Sequence, residues 1–129
     1  MRFRAVAVIT AVVTLVLGVG YLFGGSLMVG RWRIEPTTSV LLLGRRMGAL
    51  YLGLSVIFLL ARSAPVSVAR TALCAGTAVT CSLLAFLGVF EFSVGRVGPG
   101  ILVSVALEAL LALAYIWILS ADRRLAPGG

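Results

Sequence analysis

Apolar residues in this chain neither alternate nor recur only on one helical face; they fill whole runs, and short polar connections between the runs hold most of the charge. Four such runs occupy about residues 5–23, 40–61, 71–90 and 101–119. Each approaches the roughly 20 residues that a helix needs to cross a ~30 Å hydrocarbon core, where backbone polar groups must be satisfied internally. The pattern predicts an all-α fold: a polytopic four-transmembrane-helix bundle occupying residues 1–129 as one domain. A basic start, Met1 to Arg4, precedes the first run, as it would in a signal peptide. That run is longer than the usual ~7–15-residue apolar region of a signal, and no A-x-A site follows it, so it reads as an uncleaved first helix.

Composition agrees with the membrane reading. The chain is 61% hydrophobic and 12% charged, with mean hydropathy +1.16, whereas about a quarter of the residues in a soluble domain are charged. Net charge is +7, and arginine supplies all of the positive charge, since the sequence has no lysine and no histidine. The arginines flank apolar runs, which marks topology and attraction to anionic headgroups rather than nucleic-acid binding. With four spans, Arg2, Arg4, Arg62, Arg70, Arg123 and Arg124 fall on one side and Arg31, Arg33 and Arg96 on the other. Both termini are therefore expected in the cytoplasm, with the chain in the inner (plasma) membrane. If Arg45 and Arg46 count with the second side, the bias nearly vanishes and a dual topology opens. Without histidine there is no metal-ligand cluster, and no cofactor is implied. Cys74 and Cys81 lie about two turns apart on one helix, ~10 Å, too far for a mutual disulfide. They read as small packing residues, the alternative being a redox or acylation role.

Small and hydroxyl residues form two stripes suited to close helix contact in lipid: Thr10, Thr14, Gly18 and Tyr21 on the first span, and Ala72, Gly76 and Thr80 on the third. In the longest connection, Trp32 stands among Arg31, Arg33 and Glu35. This is the composition of an interfacial anchor; a lid or ligand-recognition loop is the alternative. Pro36 followed by Thr37, Thr38 and Ser39 signals a helix start with a hydroxyl cap. Beyond Asp122, Arg123 and Arg124, the last four residues read as a frayed tail.

The sharpest chemical anomaly is Glu108, placed well inside the fourth apolar run. A carboxylate at such depth costs roughly 2.5–3.5 kcal/mol on insertion scales, so it requires a partner, a proton or a function. The second run contains Arg45 and Arg46. Counted from Val40 they lie ~8–9 Å into the membrane, and Glu108 counted from Ile101 lies ~10 Å in, entering from the same side. The matched depths predict a buried Arg–Glu pair between the second and fourth helices. Ser104, Ala112 and Tyr115 share the face of Glu108 and extend the polar stripe. Three outcomes are open: a fold-specifying ion pair, a ligand, ion or proton site around it, or a Glu108 that stays protonated.

The segment GRRMGALYLGLSVIFLLAR resembles the second helix of the DoxX-like small bacterial four-helix membrane proteins, many of them known only as domains of unknown function. Arg45 or Arg46, Tyr51, Gly53 and Glu108 occupy places comparable with those of that group. The resemblance covers the whole chain in hydropathy and about twenty residues in motif. It implies a four-helix bundle without clear catalytic residues, in partnership with other membrane proteins. The redox partnership of part of the group does not transfer, because no CxxC is present. The expected function is a structural or accessory membrane protein, or one binding a lipid or small ligand. Its expected partners are the bilayer and another membrane protein or a second copy of the chain. Two alternatives stand beside it: a small proton- or ion-coupled transporter or channel using Glu108, and a membrane enzyme acting on a lipid or isoprenoid with Glu108 as acid or base. The enzyme reading lacks a second acid, a histidine or a metal set.

Overall fold

The computed structural model describes residues 2–125, so the expected tail lies outside the described residues. Within them the chain is all-helical: α1 (Arg2–Phe23), a short α2 (Gly25–Gly30), α3 (Thr38–Ala61), α4 (Val68–Ser93) and α5 (Ile101–Leu125). The four long helices have 22 to 26 residues and are apolar enough to cross a bilayer, which makes the chain a multi-pass membrane protein. Each runs beyond its apolar core or up to its edge. The additions carry the polar residues that meet headgroups and water, such as Arg2 and Arg4 on α1 and Asp122 to Arg124 on α5. Hydroxyls cap the starts of α3 and α4: Thr37 accepts from the Val40 amide (3.3 Å) and Ser67 from the Arg70 amide (3.2 Å).

Consecutive long helices pair. α1 packs along α3 and α4 along α5, and the two pairs meet along a shorter contact between α1 and α5. No packed seam joins α3 to α4. Glycines make the tight seams possible. A β-carbon placed on Gly48 would stand 2.8 Å from the Gly18 carbonyl, so these two helices touch backbone to backbone. On the other pair, a β-carbon on Gly88 would meet Val105 at 2.5 Å. In lipid, where apolar surface gains nothing by leaving one hydrocarbon for another, such close approach is what holds helices together. The stripe Thr10, Thr14, Gly18 and Tyr21 is buried as its spacing predicts. The stripe Ala72, Gly76 and Thr80 is not: it faces an open space rather than a helix, and a β-carbon on Gly76 would meet nothing within 4 Å.

The helices converge at the end that carries the chain termini. There Phe3, Ala7, Ala11, Phe58, Cys74, Ala78, Tyr115 and Ile118 form the core. Phe58 and Tyr115 bring α3 and α5 together with ring centroids 5.8 Å apart. Ser55 donates across to the Ala11 carbonyl (2.7 Å), a hydrogen bond between α3 and α1. The same end holds the more buried of the two ion pairs among the described residues: Arg70 Nη2 donates to Asp122 Oδ1 at 2.9 Å, Arg70 Nη1 donates to the Ala64 carbonyl, and the guanidinium lies 4.4 Å from the Phe3 ring centroid. At the opposite end, the connection after α2 folds over the α4–α5 turn. The Gly98 amide donates to the Trp32 carbonyl (2.7 Å), Gly98 lies under the Arg33 side chain, and a β-carbon on Gly100 would run into the Arg31 carbonyl.

Candidate functional site

Two helix pairs that join at one end, and are bridged by a loop at the other, leave a space between. It is a cavity of about 750 Å³, large enough for a lipid-sized molecule, with walls supplied by all four long helices. Most of the lining is apolar, with Leu from every wall and Val from α1 and α5. The polar groups are few and converge: Glu108 and Ser104 from α5, Tyr51 from α3, Tyr21 from α1, and Thr80 with Cys81 from α4. Tyr21 and Tyr51 stack across the α1–α3 seam with centroids 6.0 Å apart and planes inclined by 14°. Arg31 and Trp32 stand at the loop end of the same cavity.

Tyr115 does not line the cavity; it lies fully buried behind two lining residues, Thr10 and Phe58. Its hydroxyl is 2.7 Å from that of Thr10, which in turn donates to the Val6 carbonyl (2.9 Å). Because the threonine has one proton and has already committed it, Tyr115 is the donor of the pair. Thr14 likewise bonds back to its own helix through the Thr10 carbonyl (2.8 Å). These hydroxyls are satisfied within the protein. Glu108 is different: the ion pairs among the described residues are Arg70–Asp122 and Arg96–Glu91, and no hydrogen bond engages its carboxyl.

The predicted Arg–Glu pair is therefore corrected. Arg45 and Arg46 do lie two turns inside α3, but both point out of the bundle and are exposed. Equal depth was not enough, because α3 spends its small-residue face, Gly44 and Gly48, on α1, and this turns the arginines outward. α3 and α5 both line the cavity but share no packed seam, and Phe58 meets Tyr115 between them. Of the residues proposed for the polar site, Tyr51, Ser104 and Glu108 share the cavity; Tyr115 is buried behind its lining residues Thr10 and Phe58, and Arg45 and Arg46 are outside it. The arginine that faces the cavity is Arg31, in the loop whose alternative reading was a lid or recognition element. Sequence reasoning also missed the buried pair of Arg70 and Asp122. Both fall on the same side of the membrane by span counting, and that was the available signal.

The fold and the cavity together define a multi-pass, four-helix membrane protein with a central intramembrane cavity. No known family, curated protein or solved structure matches the chain. Among the described residues no group of three His, Cys, Asp or Glu side chains could hold a metal ion.

Proposed function

We propose that this protein binds a lipid-like molecule inside the membrane, as an accessory or carrier-type protein of DoxX-like kind, with its termini in the cytoplasm. The single observation that carries the reading is a lipid-sized cavity whose one carboxyl, Glu108, has no partner in the protein. A carboxyl accepts a hydrogen bond in either protonation state, so the complementary ligand has an apolar body and a head that donates one, a hydroxyl or an amine. Ser104 and the two tyrosine hydroxyls supply further hydrogen-bonding groups around that head. The missing seam between α3 and α4 gives such a molecule a lateral way in from the bilayer.

The test is photolabelling in liposomes with a long-chain alcohol carrying a diazirine, with labelled residues mapped by mass spectrometry. The cavity residues Leu73, Leu107 and Leu111 are expected to be labelled, saturably and in competition with unlabelled alcohol. Gly76→Phe, placed where a side chain has free space, fills the cavity and should abolish this labelling while leaving that of the lipid-facing Leu83 and Leu113 unchanged. Glu108→Gln retains an acceptor and should keep most of the labelling, whereas Glu108→Leu should lose it. Label confined to lipid-facing residues, or cavity label untouched by Gly76→Phe, would overturn the reading.

A further inference from the structure

A second, smaller hollow of about 620 Å³ opens on the outside of the bundle at the terminus end, away from the central cavity. Three arginines from three different elements border it: Arg4 in the first turns of α1, Arg62 just after α3, and Arg70 at the start of α4, with Ser63 between them. Asp122 neutralises Arg70 at 2.9 Å. Neither Arg4 nor Arg62 takes part in an ion pair among the described residues. Arg62 donates to the Leu59 carbonyl at the end of its own helix, which fixes its guanidinium beside the hollow. The Nε of Arg70 is buried and makes no hydrogen bond, so even the paired arginine keeps one donor spare. The hollow thus holds two uncompensated positive charges and several unused N–H groups.

What lies beneath the arginines decides the kind of anion. The wall continues into Val8 and Ile9, and then along the outer face of α1 through Val12 and Val16, which are 54% and 64% exposed. A charged collar over an apolar track matches an amphiphile with an anionic head. Guanidinium groups suit phosphate through paired N–H donors, and basic hollows between helix ends are where acidic lipid heads bind. We propose that this hollow is a specific site for one anionic phospholipid, its phosphate held by Arg4 and Arg62 with Ser63, and one acyl chain lying along Val8 and Ile9. The site is independent of the central cavity and shares none of its lining residues.

Native mass spectrometry of the protein released from detergent tests this with phosphatidylglycerol, phosphatidylcholine and inorganic phosphate as the probes. One phosphatidylglycerol per chain should survive activation that strips phosphatidylcholine. Inorganic phosphate in excess should not displace it, because the apolar track adds to the binding of the lipid only. Arg4→Gln and Arg62→Gln should each weaken retention roughly fivefold, as expected for one arginine at an anionic surface. Arg45→Gln and Arg46→Gln, exposed on α3 and lining neither hollow, should leave it unchanged. Arg4 is exposed and makes no hydrogen bond, so its single variant keeps the test sound even if Arg62→Gln folds poorly. Equal retention of the two lipids, displacement by inorganic phosphate, or undiminished retention in Arg4→Gln would each overturn the proposal.

Discussion

Removing one partner of the Arg70–Asp122 pair should destabilise the protein strongly, and by different amounts for the two partners. The side chains are only 15% and 11% exposed, so neither charge has much water to fall back on. Breaking a buried pair by deleting one member costs about 3–5 kcal/mol, mostly from the charge left behind. The structure divides that cost unevenly. Asp122→Ala leaves Arg70 with the Ala64 carbonyl and the Phe3 ring, and a long side chain that can reach the headgroups. Arg70→Leu leaves a short carboxylate whose Oδ2 is already buried without a hydrogen bond. We expect about 2 kcal/mol for Asp122→Ala and about 4 kcal/mol for Arg70→Leu. The double variant Arg70→Leu with Asp122→Ala, which closes the cycle, should recover most of the loss, since apolar replacement of a whole buried pair is often neutral or better.

The assay is unfolding by SDS titration from mild detergent, followed by tryptophan fluorescence, across the full double-mutant cycle. A coupling energy of about 4 kcal/mol, with the arginine variant the worse single, is the expected outcome. Additive single effects, or equal costs for the two, would refute the assignment of this pair as a desolvated clasp at the closed end of the bundle.

Two other substitutions probe the seams and the Thr10–Tyr115 contact by the same unfolding measurement. Gly48→Val should cost roughly 1–3 kcal/mol, because its β-carbon would press within 2.8 Å of the Gly18 carbonyl, a backbone atom that cannot move without the helix. Gly53→Val on the same helix meets nothing within 4 Å and should stay within about 0.5 kcal/mol of the parent. At that contact, Thr10→Val strands the buried Tyr115 hydroxyl and should cost about 1–3 kcal/mol, whereas Tyr115→Phe leaves Thr10 bonded to Val6 and should cost about 1 kcal/mol.

The spans were legible because crossing a bilayer imposes length and apolarity on every residue of a run, a demand that the sequence states directly. Partner choice was not legible on those grounds. In lipid it is decided by where small residues let backbones touch, and nearly every span of this chain offers such a stripe. Gly18 and Gly48 found one another, Gly88 found Val105, and the Ala72, Gly76 and Thr80 stripe found no helix at all. Depth counting placed Arg45 and Glu108 at one level but could not supply rotation about the helix axis, and rotation turned the arginines outward. The stripe on α1 and the polar face of Glu108 and Ser104 were readable because they follow from spacing on a single helix.

The pairing also determines what kind of occupant the cavity can discriminate. On the proposed reading, a ligand entering from the bilayer competes with acyl chains, and an apolar body gains almost nothing by leaving lipid for a Leu- and Val-lined wall. Selectivity therefore has to come from the polar head. In hydrocarbon a hydroxyl or amine has no hydrogen-bond partner, whereas in the cavity it meets Glu108, Ser104 and the Tyr51 hydroxyl. On the proposed reading, the same reasoning accounts for a costly carboxyl deep in α5 rather than at its end. Near the headgroups, water and phosphate would compete for the ligand's head; two turns inside, Glu108 is the acceptor within reach.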